Sequence, residues 1–327
     1  MPDDLQLLLQ PDYLPFRLDV AEGRLLLLRL STQQRTDAAF LDERVCAGRP
    51  AGAWVPWQAA EEASLRCADL PVNWIFHIGH CGSTLLSRLL ESPVQHVLRE
   101  PLALRDLASA AVVGACPEDR LGPYLQALSR LWARPVAAHG STLVKATSSC
   151  NALVGPLLAT RSDDRIVLLD MPLRPYLATL LKSPASVKDA LAAADERWQL
   201  LRRAWPDAQL RSPQSAGEAC AMGWLAEQVR FEDIARHDGR ALRVDFERML
   251  EQPRDTLERI VVHLRLAHET TDSAMSSSWW NRYAKAGEHA YGIEDRLHDQ
   301  RLSMSRFTGE IERGIGWVRA ASASRAA

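Results

Sequence analysis

Residues 74–91, WIFHIGHCGSTLLSRLLE, decide how the rest of this chain is read. Trp74, Ile75 and Phe76 form a short apolar run, with Ile78 beyond it. The chain then turns through Gly79 and Gly82, after which Leu85, Leu86, Leu89 and Leu90 recur at helical spacing. A strand that ends in a glycine turn and feeds a helix is how α/β proteins build anion sites. Glycine lets the backbone come close to the ligand, and the first free N–H groups of the helix point at it. Ser83 and Thr84 add hydroxyls at that mouth. The ligand expected here carries phosphate or sulfate. The stretch is not a Walker A loop, which needs four residues between its glycines and then Lys-Ser/Thr; Gly82 is followed by Ser83 and no Lys. The competing reading is a purely structural turn.

Working outward, the pattern predicts a helix over 84–91 ended by Pro93, and a short strand over 94–98 leading to Arg99-Glu100-Pro101. Helices are predicted over 102–113 and 123–132, the second opening on Pro123. A strand follows over 141–145, a short helix over 151–159, and a strand over 165–169 bounded by Ser162-Asp163-Asp164 and Asp170-Met171-Pro172. Then come helices over 175–181, 187–205 and 219–237, a last strand over 241–244, and a helix over 253–264. Strands alternating with helices predict an α/β fold: three layers, with a central parallel sheet flanked by helices, over residues 71–327. The chain from about 270 reads as irregular and charged. Residues 1–70 read as an N-terminal cap with a strand over 24–30, a short strand or helical turn over 5–9, a helix over 32–45, and a non-repetitive stretch around Trp54 and Trp57.

Ligands of such sheets bind beyond the strand C-termini. Four predicted strand ends carry polar side chains: His80 and Ser83, Glu100, Lys145, and Asp170 with Arg174. A net charge of −2 disfavours bulk nucleic-acid binding. The six cysteines are scattered without a Cys-x-x-Cys pair, which suits a reducing compartment and offers no zinc set; a cytoplasmic protein without a metal is expected. The opening residues, Asp3 and Asp4 among them, are unlike a secretory leader, and apolar runs are broken before membrane-spanning length. Cys81, at a helix start, is expected to have a lowered thiol pKa, and a cysteine nucleophile there is a minor reading.

At these residues the chain resembles the P-loop sulfotransferases. Residues 76–90 resemble their 5′-phosphosulfate loop, 168–183 the strand and helix of their 3′-phosphate motif, and 241–264 their late strand, Pro-containing turn and helix. The resemblance covers about 190 residues, in matching order. It implies a P-loop-like fold and transfer of a sulfuryl group from 3′-phosphoadenosine 5′-phosphosulfate (PAPS) to a hydroxyl or amine, without a metal. Carried over residue by residue, it implies that Gly79, His80, Cys81, Gly82, Ser83 and Thr84 cradle the donor. His80 stands where the family has Lys or Arg and becomes cationic if the anion raises its pKa. The family's His two residues after the strand-end Lys is missing: Lys145 is present, but Thr147 takes the His position. In other branches the base is a Glu about twenty residues after the basic loop residue, which implies Glu100, while His80, Lys145 and Arg174 are implied as charge partners of the donor. Asp170 occupies the position of the 3′-phosphate Arg, so Arg174 and Thr179 are the substitutes the alignment leaves. Arg313-Gly314-Ile315-Gly316-Trp317 is one candidate for the loop that covers the nucleotide; Tyr283, Lys285 and Arg296 are others, and Trp279-Trp280 could line an acceptor pocket.

Two other readings stay open. One is a P-loop kinase or nucleotide hydrolase, against which the missing Walker Lys counts. The other is a non-catalytic binding protein that kept the fold, motivated by the departures at positions 80 and 170. The acceptor, and whether the chain forms a homo-oligomer, are not legible.

Overall fold

The computed structural model describes residues 4–92, 95–133 and 140–326. Asp3, Pro93 and Val94, on which expectations were placed, lie outside the described residues.

Five strands make the central sheet. They are β4 (Val72–His77), β5 (Gln95–Arg99), β6 (Ser141–Lys145), β7 (Arg165–Asp170) and β8 (Ala241–Asp245), in the order β5-β6-β4-β7-β8. Every neighbouring pair is parallel. β4 and β7 are mainly apolar, and β4 is buried along its whole length, as a strand covered on both faces must be. The chain leaves β4 toward one edge of the sheet and, after β6, crosses to the other. The C-terminal end of β4 is therefore the switch point where a crevice opens. The expected α/β architecture is present, and the helix after β4 runs Ser83–Leu89.

The first seventy residues hold more regular structure than their sequence predicts. β1 (Tyr13–Asp19), β2 (Arg24–Arg29) and β3 (Gly52–Pro56) form an antiparallel sheet, followed by a helix at Trp57–Arg66. Only β2 was expected. The expected 32–45 helix is a single Thr32–Asp37 helix and then a 3-10 stretch at Glu43–Gly48, while residues 5–9 fall in a helix, Asp4–Leu9. The small sheet shares one hydrophobic core with the α/β unit. Trp132 stacks edge-on against Trp74 and donates to the Pro15 carbonyl at 3.1 Å. Arg17 pairs with Asp106 at 3.2 Å.

Other boundaries also differ. The expected 187–205 helix is two, Pro184–Ala192 and Ala194–Ala204, broken at Ala193. Pro123 lies inside the Glu118–Ala133 helix rather than at its start. The C-terminal region expected to be irregular holds a helix at Glu269–Met275 and a 3-10 turn at Ser278–Asn281, is irregular from there to Gly292, and ends in two helices, Ile293–Arg306 and Thr308–Ala326. Gly314 therefore lies mid-helix and belongs to no loop. A Cβ there would come within 2.6 Å of the Gly217 carbonyl oxygen on the Ala216–His237 helix, so this glycine permits a close helix crossing. Ile315 and Trp317 are buried beside it, and 313–317 is not a nucleotide-covering loop. Among the described residues no helix is long and apolar enough to cross a membrane.

Candidate active site

An open cavity of about 1180 Å³ lies over the C-terminal ends of β4, β5 and β6. The residues of its floor come from the turn after β4. Gly79, His80 and Gly82 all have positive φ, at 86°, 52° and 79°. His80 is thus a non-glycine residue held left-handed, and Glu100, after β5, is a second at 56°. Such conformations cost on the order of 1–3 kcal/mol each and persist where surrounding structure imposes them. The turn is imposed by His77. Its Nδ1 accepts from the Gly79 N–H at 3.0 Å, so its Nε2 carries the proton and donates to the Ala146 carbonyl at 2.9 Å. One buried, neutral imidazole therefore joins the turn to the end of β6. Burial, and then the charge of Lys145, hold His77 well below the usual histidine range.

The helix that follows begins at Gly82, which offers no side-chain cap, so its first N–H groups open toward the cavity. Ser83 and Thr84 line it beside them. Lys145, at the end of β6 and almost fully buried, is ion-paired to Glu100. The Glu100 N–H also donates to the Lys145 carbonyl at 2.7 Å. Lys285 reaches in from the irregular segment before Gly292. It stays open to the cavity solvent, yet protein surrounds its ammonium on most sides and pushes its pKa down, with Lys145 adding repulsion. No ion pair or hydrogen bond to the Lys285 ammonium is present among the described residues. The ring of Phe40 sits against both lysines, 5.3 Å from the Lys145 nitrogen and 5.8 Å from that of Lys285.

Phe40 is brought there by buried arginines. Arg99 donates to the carbonyls of Thr36 and Ala38 at 3.2 and 3.3 Å and pairs with Glu91 at 2.7 Å. Arg88 donates to the Asp37 carbonyl at 3.0 Å, with its guanidinium 4.6 Å over Trp279. The N-terminal segment is thereby fixed across the edge of the cavity.

Of the residues singled out in the sequence, Gly79, His80, Gly82, Ser83, Thr84, Glu100, Lys145 and Thr179 line this one cavity, as do Trp279, Trp280, Tyr283, Lys285 and Arg296. Two do not. The Cys81 side chain points into the core, donating to the Leu169 carbonyl at 3.4 Å, and burial pushes its thiol up to about 12, opposite to the lowering expected of a helix start. Arg174 is exposed on the Leu173–Leu181 helix and pairs with Glu312 at 2.6 Å. Asp170 turns to Arg243 on the neighbouring strand and is likewise not in the cavity wall. Burial, then Lys285, lower the pKa of His80 to about 4, so it is neutral at pH 7. Its Nδ1 lies 3.4 Å from the Ser186 hydroxyl.

Sequence reading missed Phe40, Ser186 and the buried set Arg197, Glu227 and Arg230 in the same wall. Glu227 accepts from Arg197 at 3.1 Å and from Asn151 at 2.9 Å, and Asn151 also donates to the His77 carbonyl at 3.0 Å. This network braces β4 from beneath, and its acids neutralise its arginines.

The neutral histidines set an acid limit on stability. Folded His80 and His96 have pKa values of about 4, against 6.5 in the unfolded chain, and His77 is lowered too. Below pH 6.5 the unfolded chain takes up protons that the folded one refuses. Stability contributed by these groups is full above pH 6.5 and is lost as pH falls from 6.5 toward about 4, by up to about 3 kcal/mol for each of His80 and His96. Urea unfolding between pH 7.5 and 4.5 should show the midpoint falling across that window; a flat profile would mean the imidazoles are protonated in the fold.

No protein-family model matches the sequence. No curated protein matches it either. Among solved structures, the sulfotransferase domain from the curacin biosynthetic pathway is 10% identical, with a TM-score of 0.44 over 74% of this chain and 99% of that one. The sulfotransferase STF9 from Mycobacterium avium is 13% identical, with a TM-score of 0.40 over 84% of this chain and 86% of that one. Mouse sulfotransferase SULT7A1, solved as a complex with PAP, is 9% identical, with a TM-score of 0.32 over 76% of this chain and 88% of that one.

Proposed function

We propose that the protein transfers a sulfuryl group from PAPS to a hydroxyl or amine acceptor. The observation that carries this reading is the Lys145–Lys285 pair beside an uncapped helix start, with Lys145 paired to Glu100 and no ion pair to Lys285 among the described residues. Two ammonium groups that repel each other in a partly desolvated wall leave a net positive charge, which an anion at the 79–84 turn would neutralise.

The residues fit such a donor. The positive-φ turn, the helix N–H groups and the hydroxyls of Ser83 and Thr84 would hold the phosphosulfate, with Lys145 and Lys285 as its countercharges. Thr179, Lys182, Ser183 and Ser186 form the rim beyond His80 and would take the second phosphate. The donor supplies an activated sulfuryl group: its S–O bond to phosphate breaks, leaving the electron pair on the phosphate oxygen, as the acceptor oxygen bonds to sulfur. Glu100 accepts the acceptor's proton. Lys145 has three donors, so it can hold the Glu100 carboxylate and still face a developing anion. Neutral His80 serves as a hydrogen-bond donor to the bound anion, which would also raise its pKa by offsetting the two lysines.

A P-loop kinase would use an acid at the β7 end to organise magnesium at the phosphates. Asp170 occupies that strand end but is engaged by Arg243 outside the cavity, which favours sulfuryl over phosphoryl transfer.

Calorimetric titration with adenosine 3′,5′-bisphosphate tests the reading. Binding in the micromolar range is expected for wild type, weakened about tenfold or more in Lys285→Ala and steepened in its salt dependence by Lys285. Arg174→Ala should leave affinity within about twofold, because its side chain lies outside the cavity. No binding of the bisphosphate together with magnesium-dependent binding of ATP would replace this reading with the kinase one.

A further inference from the structure

We propose that the acceptor is an alcohol carrying its hydroxyl at one end of an extended aliphatic chain, which lies along the Leu102–Val112 helix. The proposal rests on the sulfuryl-transfer reading and on Glu100 as the point where the hydroxyl is held.

The cavity does not stop at Glu100. It continues along one stripe of the helix that starts two residues later: Arg105, Ala108, Ser109 and Val112 recur at three- and four-residue spacing and all line it. From Arg105 to Val112 that stripe is about 10 Å long, at about 1.5 Å per residue. It begins at Arg105 and is small in its middle, at Ala108 and Ser109. Its far end is apolar and open: Val112 is 52% exposed and Val113 is 76% exposed, adjacent in sequence and both on the cavity wall. The helix does not expose valines for want of core-facing residues, since Leu102, Ala103, Leu104 and Leu107 are buried. Two neighbouring large apolar side chains left on a cavity wall mark a surface that an apolar ligand covers.

Phe40 marks the charged head of the cavity: its ring lies 5.3 and 5.8 Å from the nitrogens of Lys145 and Lys285 and 4.0 Å from the guanidinium carbon of Arg44. Among the described residues, the arginines along the groove are matched. Arg105 is paired with Glu43 at 3.0 Å and Arg44 with Asp42. A sugar chain or an acidic peptide would find neither a row of free donors nor an unpaired cation there, whereas an aliphatic chain would find an apolar wall leading to a carboxylate.

The test is calorimetric titration of the full chain with 1-butanol, 1-hexanol, 1-octanol and 1-decanol, with adenosine 3′,5′-bisphosphate bound and without it. Affinity is expected to rise about threefold to fourfold per added methylene until the chain reaches Val113. Val112→Asp, at an exposed position, should weaken 1-octanol binding at least tenfold and leave bisphosphate binding unchanged. Circular dichroism melting confirms that this variant is folded, and Val113→Asp provides a second, independent variant. Bisphosphate binding with no dependence on alcohol length, or 1-octanol affinity unmoved by both aspartates, overturns the acceptor class and leaves the donor reading intact. Length-dependent alcohol binding without any bisphosphate binding overturns the acceptor role along with the donor reading.

Discussion

Glu100→Gln is expected to lower kcat by about 10²–10⁴-fold and to leave the affinity for adenosine 3′,5′-bisphosphate within a few-fold of wild type. The glutamine keeps the size of the side chain and can still accept a hydrogen bond from Lys145, so the cavity keeps its shape. It cannot take a proton from an acceptor hydroxyl. Because the missing step is made only in the transition state, kcat and kcat/KM should fall together while KM stays near its wild-type value. The same change removes the counter-charge of Lys145, whose side chain is 1% exposed. Breaking a fully buried pair costs about 3–5 kcal/mol, but Glu100 is 18% exposed and faces the open cavity, so about 1–2 kcal/mol is the expected loss here. A melt therefore accompanies the kinetics. Turnover is followed as bisphosphate released from the donor, with the longest alcohol that binds as acceptor. Near wild-type turnover in Glu100→Gln would reduce Glu100 to an anchor for Lys145 and leave the base elsewhere in the cavity.

Glu100 could be placed at a strand end from the sequence because that signal is local, whereas its role as base came only as what the family resemblance implies. The turn itself was legible for the same reason, since glycine spacing and the leucine period after it need no distant partner. Phe40 has no such signal, and Lys285 was singled out only through the family resemblance, as part of a covering segment and not as a partner of Lys145. They reach Lys145 from either end of the chain, and only the tertiary fold brings them there. β1 was hidden by Pro15, which breaks the alternation at the point where its pairing with β2 shifts register. β3 was hidden by its closing Pro56 and by Trp54, which faces outward at 45% exposure under Arg24. Arg174 misled for the opposite reason. It stands at a strand end in the sequence, but a helix begins at Leu173 and its side chain turns to Glu312. Gly314 and Gly316 suggested a loop, whereas Gly314 serves the contact of two helices, which a local reading cannot distinguish from a turn.

The two glycines of the turn separate close packing from backbone freedom, and Gly82→Ala is expected to be among the most damaging single substitutions in the chain. At Gly79, φ is 86° and the nearest atom to an added Cβ is the Ser148 hydroxyl oxygen at 3.2 Å, so Gly79→Ala carries mainly the left-handed penalty of about 1–2 kcal/mol. At Gly82, φ is 79° and an added Cβ would lie 2.0 Å from a ring carbon of Phe246. Phe246 cannot give way readily: it is 4% exposed at the start of the Phe246–Glu251 helix, and Arg296, itself paired with Glu247, lies 5.2 Å over its ring. The clash adds to the backbone penalty, and a total above about 3 kcal/mol is expected. The clash is also tied to function, because moving Gly82 turns the first N–H groups of the following helix away from the cavity and should abolish bisphosphate binding in whatever fraction stays folded. A double-mutant cycle isolates the cause. Phe246→Ala alone opens a cavity and costs about 3–5 kcal/mol, but it removes the ring that the added methyl group would strike. Urea unfolding of Gly82→Ala, Phe246→Ala and the pair should then give a double variant only about 1–2 kcal/mol below Phe246→Ala, the left-handed penalty remaining. Fully additive losses would mean that the ring and the turn do not meet, and that Gly82 is required for its backbone conformation alone.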